Sequence, residues 1–168
     1  MTKIVVFGNS GSGKSTLAKN LVKVRHIAHL DLDAVAWAPS NASSSPPSRL
    51  PISESKVLIE TFLSKNTSWV IEGCYSDLLA EVLPYADELI FLNLPINLCV
   101  ENAKARPWEP HKYASKQAQD ANLSMLLDWI KDYENRTDTF SKQSHQALYD
   151  SFEGTKTMYT SNSHSERQ

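Results

Sequence analysis

Ile4-Val5-Val6-Phe7-Gly8-Asn9-Ser10-Gly11-Ser12-Gly13-Lys14-Ser15 decides how the rest of the chain is read. Its first four residues are an unbroken apolar run with three β-branched side chains, the composition of a strand buried on both faces of a parallel sheet. The next eight match G-x-x-x-x-G-K-[ST] in full. Beyond them Leu17, Leu21 and Val24 recur at helical spacing, so residues 14–24 read as a helix. Strand, glycine-rich turn and helix are the context this motif requires. From typical residue frequencies, a chance match in a chain of this length has a probability of roughly 0.5%.

The spacing has a chemical reason. Gly8, Gly11 and Gly13 let the backbone curl around Asn9, Ser10 and Ser12, so that successive N–H groups point inward at phosphate oxygens. The helix that starts near Gly13 adds its free N–H groups and the positive end of its dipole. Lys14 is placed to reach the β- and γ-phosphates, the Ser15 hydroxyl to ligate Mg²⁺, and Thr16 to sit near the α-phosphate. The stretch predicts a seat for ATP or a similar nucleotide with its magnesium ion.

Working outward, residues 27–31 read as a second strand and 53–65 as a helix with Val57, Leu58, Thr61 and Phe62 on one side. Trp69-Val70-Ile71 is a third strand ended by Glu72-Gly73. Residues 77–83 read as a short helix stopped by Pro84, and 88–94 as a fourth strand. Pro95 opens a helix that ends at Arg106-Pro107. Helices are predicted over 115–135 and 140–152, with a fifth strand over 156–159. Two irregular segments, 38–52 and 107–114, interrupt the alternation; within the first, residues 40–51 are Ser- and Pro-rich and read as a surface loop or flap. Strands alternating with helices predict an α/β three-layer fold with a parallel sheet. Such folds bind ligands at the carboxyl ends of their strands, where Gly8, Asp31, Glu72 and Pro95 all fall.

The chain has 168 residues, enough for one domain with a proper core. A formal net charge of -2 argues against broad electrostatic capture of nucleic acid. No stretch approaches the roughly 18 apolar residues that cross a bilayer, and the apolar run at residues 4–7 is too short for a signal core. Cys74 and Cys99 form no C-x-x-C pair and are read as packed thiols in a reducing cytosol. No histidine shows metal-ligand spacing.

A phosphate loop of this kind needs a carboxylate on a neighbouring strand to hold Mg²⁺ or its waters. Asp31 and Asp33 lie two apart after strand two, facing one side of an extended end. One could serve the metal and the other could accept a proton from an acceptor hydroxyl; the alternative is that they cap a short helix at residues 34–37. Glu72 is the third candidate, as a ligand to the metal's shell or a contact to the acceptor. Tyr133, Arg136 and His145 could line a pocket, or Trp129, Ile130 and Tyr133 could be the core contacts of an amphipathic helix.

Taken together, these steps resemble the small nucleoside monophosphate kinase superfamily, of which adenylate kinase and shikimate kinase are members. The likeness is greatest to compact bacterial kinase-like proteins of the topology-modulation-protein type. It is carried by the N-terminal loop, by Leu30-Asp31-Leu32-Asp33-Ala34-Val35-Ala36-Trp37, by Val70-Ile71-Glu72-Gly73-Cys74-Tyr75, and by Leu92-Asn93-Leu94-Pro95 with a helix ending in arginine. It spans about residues 1–160 and leaves 161–168 as a polar tail. The resemblance implies a five-stranded parallel sheet of order 2-3-1-4-5, an acceptor-binding segment over about 34–66 and a lid over about 106–120. It further implies phosphate-clamping arginines, matched here by Arg49, Arg106 and Arg136, and acceptor contacts from Asp33, Glu72 and Tyr75. Two departures argue against AMP or shikimate as acceptor. Cys74-Tyr75 replaces the usual arginine-bearing step, and the lid carries Trp108, His111, Lys112 and Tyr113 in place of several arginines.

The expected function is ATP- and Mg²⁺-dependent phosphoryl transfer to a small-molecule acceptor, with Lys14, Asp33, Arg106 and Arg136 as its catalytic residues. A nucleotide-dependent regulatory ATPase without such an acceptor is the alternative. A small GTPase is disfavoured, because neither N-K-x-D nor D-x-x-G occurs.

Overall fold

The computed structural model describes residues 1–38 and 48–162. The Ser/Pro loop expected at 40–51 lies outside the described residues as far as residue 47, and so does the polar tail from residue 163. Five strands, β1 (Lys3–Gly8), β2 (Ala28–Asp31), β3 (Trp69–Gly73), β4 (Glu88–Leu92) and β5 (Thr155–Tyr159), form one all-parallel sheet of order β2-β3-β1-β4-β5. The expected strand order is thus observed, with helices on both faces. In sequence they are α1 (Lys14–Arg25), α2 (Asp33–Ala36), α3 (Ile52–Lys65), α4 (Ser76–Val82), α5 (Ile96–Lys104), α6 (Lys116–Lys131) and α7 (Lys142–Ser151). The sheet topology and the glycine-rich turn at its centre are compatible with a P-loop NTPase.

Strand β1 is central because its side chains serve both layers at once. Ile4 and Val6 join Leu17, Leu21, Cys99 and Ile130 in the core under α1, α5 and α6. Val5 and Phe7 join Ile59, Leu78, Leu79 and Phe91 in the core on the other face. This alternation is what a pleated strand between two helix layers demands. Phe7 stacks on Phe91 with ring centroids 4.8 Å apart, and His145 of α7 meets the Phe7 ring edge-on at 5.5 Å.

Two expected faces need correction. In α3 the inward residues are Ser55 and Ile59, with Phe62 and Leu63 beside them, whereas Val57 is 60% and Leu58 44% exposed. A serine takes the inner position because its hydroxyl donates to the Val35 carbonyl at 2.8 Å, satisfying both groups. In α1, Leu17, Ala18 and Leu21 are buried and Val22 packs on their layer, while Val24 is exposed. The buried stripe therefore runs 17, 18, 21, 22.

Tyr133 and His145 are core residues: both are almost fully buried. The imidazole Nε2 donates to the Cys74 carbonyl at 2.8 Å, so in the neutral ring Nδ1 accepts from the Tyr133 hydroxyl at 2.7 Å. Burial pushes the pKa of His145 down to about 4. Cys74 and Cys99 are free thiols. Among the described residues no helix is long and apolar enough to cross a membrane.

Candidate functional site

The loop between β1 and α1 wraps the helix start. Gly11 and Gly13 have φ of 79° and 93°, left-handed values that favour glycine. A Cβ on Gly11 would stand 2.4 Å from the Cys99 carbonyl oxygen, so α5 approaches the loop too closely for any side chain there. Two of the loop's carbonyls are held by asparagine side chains that also line the neighbouring cavity. Asn102 of α5 donates from Nδ2 to the Gly11 carbonyl at 2.8 Å, and Asn162 donates to the Ser12 carbonyl at 3.0 Å. The two asparagines are themselves joined at 2.8 Å. The Ser12 N–H, which shares a peptide with the Gly11 carbonyl, donates to the Asn9 carbonyl at 3.1 Å and closes the turn from within. Gly13 is the N-cap of α1 and makes no side-chain cap bond, so the first turn of α1 presents its amides uncapped.

Above that turn lies a cavity of about 510 Å³, lined by Gly11, Lys14, Ser15, Thr16, Arg106 and Trp108 among others. Its size is within the range of small-ligand sites. Gly8, Asn9, Ser10 and Ser12 form the loop's base: Asn9 is buried and donates from Nδ2 to the Ile130 carbonyl at 3.2 Å, anchoring the loop to α6. Lys14 Nζ donates to the Asn9 carbonyl at 2.8 Å.

Strand register sets the acidic groups. Asp31 pairs with Glu72 across β2 and β3, and Glu72 pairs with Val6 across β3 and β1, so both carboxylates sit at neighbouring strand ends beside the loop. The Ser15 hydroxyl donates to Glu72 Oε1 at 3.1 Å. The other Glu72 oxygen is buried without a hydrogen-bond partner, as is His29 Nε2, 3.8 Å from it. Burial, followed by the negative charges of Asp33 and Glu72, raises the pKa of Asp31 to about 6. Asp33 goes the other way. Burial opposes its ionisation, but a hydrogen bond from the Tyr75 hydroxyl and the ammonium groups of Lys112 and Lys14 hold its carboxyl below the usual range.

Ser15, Glu72 and Asp31 form an all-oxygen donor set, the kind hard Mg²⁺ takes, and the partnerless Glu72 oxygen suits such a role. Among the described residues no three His, Cys, Asp or Glu side chains converge closely enough to hold a metal alone.

The remaining expected residues divide. Arg106 lines the cavity and its Nη2 lies 3.4 Å from Ser10 Oγ. Tyr75, at the end of β3, is buried; it accepts from Trp37 Nε1 at 2.8 Å and donates to Asp33 Oδ1. Arg49 packs over the Tyr75 ring at 4.8 Å and pairs with Asp77 at 3.1 Å. An isolated antiparallel bridge, Trp37 with Arg49, ties the two ends of the 38–48 segment together. Arg136 does not line the cavity. It stacks on Trp129 at 4.3 Å, with Nε 3.7 Å from Asp138 and with Nε and Nη1 buried without hydrogen-bond partners.

Three residues escaped the sequence reading. Asn102 and Asn162 hold the loop from 91 and 150 residues away, and nothing in their local sequence marks them. Lys112 sits on a turn in which the amides of Lys112 and Tyr113 both reach the Glu109 carbonyl at 3.1 Å. Its Nζ is 3.2 Å from Asp33 Oδ2 and 3.9 Å from Asp31 Oδ2. Burial works against its charge, but Asp33, Asp31 and Glu109 outweigh it and raise its pKa. A lone lysine in the irregular 107–114 stretch was the available signal.

No family model matches the chain. It is similar to YqaC of Bacillus subtilis (strain 168), an uncharacterized protein, with 25% identity over 134 residues that cover 79% of this chain and 72% of that one.

Proposed function

We propose that the protein is an ATP- and Mg²⁺-dependent phosphotransferase acting on a small-molecule acceptor. The observation that carries the reading is the glycine loop leading into the uncapped first turn of α1, where a cavity takes in Lys14, Ser15 and Arg106. Amides, an ammonium group and a guanidinium converging on one cavity suit a polyphosphate and the charge that develops as its terminal group transfers.

Each group has a share in this reading. Lys14 exchanges its bond to the Asn9 carbonyl for phosphate oxygens. Arg106, at the start of the lid expected over about 106–120, reaches the same oxygens from above, whereas Arg136 lies outside the cavity against Trp129 and is given no part in transfer. Bound Mg²⁺ would neutralise phosphate charge, held by Ser15 and, partly through water, by Glu72 and Asp31. Asp33, kept ionised by Tyr75 and Lys112, accepts the proton of the acceptor hydroxyl. Tyr75, Trp37 and Arg49 border the acceptor.

A coupled assay of ADP release with candidate acceptors tests this, with Lys14→Ala as control. The variant is expected to lose transfer and to bind nucleotide weakly while melting near the wild-type temperature. Full turnover in Lys14→Ala rules out the assigned site. ATP hydrolysis that no acceptor accelerates favours the regulatory ATPase instead.

A further inference from the structure

Glu72 is a carboxylate only 2% exposed, and its two oxygens are treated unequally. Oε1 accepts from the Ser15 hydroxyl at 3.1 Å. Oε2 faces His29 Nε2, 3.8 Å away, and both of these atoms are buried without a hydrogen-bond partner among the described residues. Each alone would carry the cost of a desolvated polar group left unpaired. Set opposite each other, one able to donate and the other to accept, they share a remedy.

Strand register brings them together. Val70 packs in the core under α1, so Glu72, two residues on, turns to the same face of the sheet. Across the parallel ladder His29 pairs with Val70 and Asp31 with Glu72, which places His29 two residues behind Asp31 on that face. Ser15 thus reaches Glu72 from α1 and His29 reaches it from β2. A separation of 3.8 Å is too long for a direct hydrogen bond. One water that accepts from Nε2–H and donates to Oε2 spans it. β2 is the edge of the sheet and the His29 side chain is 25% exposed, so the way in from solvent is short.

On the proposed function, which this inference rests on, Ser15 and Glu72 lie in the shell of Mg²⁺. We infer that His29 is a positioning residue for that shell. Through one bridging water it fixes the far oxygen of Glu72, the near oxygen keeps Ser15 aimed at the metal, and His29 itself touches neither metal nor nucleotide.

The test titrates Mn²⁺ into the complex of the protein with a non-hydrolysable ATP analogue and counts free Mn²⁺ by electron paramagnetic resonance. His29→Leu removes the N–H and is expected to weaken Mn²⁺ binding by about tenfold, the scale of losing a partner behind a metal ligand. Affinity for the analogue in EDTA should hold. His29→Phe, which keeps a ring, should behave as His29→Leu and serves if that variant folds poorly. His29→Gln carries an N–H of similar reach and is expected to regain most of the affinity. In a Glu72→Gln background His29→Leu should add little, since the carboxylate it orients is gone. Full Mn²⁺ affinity in the two donorless variants overturns the inference. So does a His29→Gln no better than His29→Leu, or losses that add in the double variant. A nitrogen coupling to bound Mn²⁺ that His29→Leu abolishes would make His29 a ligand and overturns it as well.

The wild type separates this claim from the one beneath it. Mn²⁺ held no more tightly by the complex than by the free analogue overturns the metal site and this inference together. Wild type that binds Mn²⁺ and transfers phosphate, beside donorless variants that bind Mn²⁺ equally well, overturns the inference and leaves the phosphotransferase standing.

Discussion

Ser15 and Glu72, 57 positions apart in sequence, meet through a hydrogen bond of 3.1 Å from the serine hydroxyl to Oε1. The strand order brings this about: β3 lies directly beside β1, so the last buried side chain of β3 comes level with the first turn of α1. The opposite oxygen of Glu72 is buried without a partner.

Glu72→Gln is therefore expected to separate catalysis from stability. Mg²⁺-dependent ATP turnover should fall by about 10²–10³, the scale seen when one preorganised electrostatic group is removed from an active site. Affinity for nucleotide in EDTA should change little. The melting temperature without ligands should hold or rise, because a carboxylate that is costly to bury is replaced by a neutral amide. Steady-state kinetics beside thermal melts with and without Mg²⁺ check all three.

Gly11→Ala should be among the most damaging single-methyl additions in the chain. The new Cβ meets the Cys99 carbonyl oxygen at 2.4 Å, and the backbone sits at φ 79°. A loss of about 2–3 kcal/mol in urea unfolding is expected from overpacking together with left-handed strain. Asn102→Ala, by contrast, leaves the packing in place and frees the Gly11 carbonyl. Its expected signature is weaker nucleotide binding, by about tenfold for one lost restraint, with a smaller drop in stability.

Lys112→Met removes the ammonium that joins the turn at residues 109–113 to Asp33 and Asp31. The 105–115 segment should then open more readily. Hydrogen exchange at its amides is expected to speed up, and a fluorescent nucleotide analogue should leave several-fold faster, as for loss of one partly buried ion pair worth about 1 kcal/mol. Unchanged exchange and release would show that the turn is held by its backbone alone.

His145 supplies a pH dependence of stability. Its folded pKa of about 4 lies below the ordinary 6.5, so the unfolded chain takes up the proton first as pH falls. Its contribution is complete above about pH 6.5 and is lost between there and pH 4, up to about 3 kcal/mol. Urea titrations at pH 7 and pH 4.5 should show this loss in wild type and a smaller one in His145→Asn.

What could be read from sequence was what is encoded contiguously. The β1 run followed by its glycine loop, the apolar strands β3 and β4, and proline at the helix boundaries each carry their own signal and mark a parallel α/β sheet, while its strand order was available only through the resemblance of the whole pattern. The position of Asp31 and Glu72 at neighbouring strand ends beside the loop was legible because each closes an apolar strand run. Asn102, Asn162 and Lys112 were not, since their partners lie 60 to 150 positions away and polar side chains at helix ends and turns have many commoner uses. The face of α3 was misread because Val57 and Leu58 supply apolar bulk on its outer side while Ser55 serves inside through its bond to Val35. Arg49 and Asp77 show the same limit: neither residue's neighbours in sequence announce the other.

The asparagine pair also ties the turn after β1 to distant parts of the chain. One arm of the clasp is Asn102 of α5, the other Asn162, which follows β5, and the two are bonded to each other. The turn therefore reaches its full set of contacts only once α5 and the segment beyond β5 have both docked, so its shape is a property of the assembled sheet and not of its own residues alone.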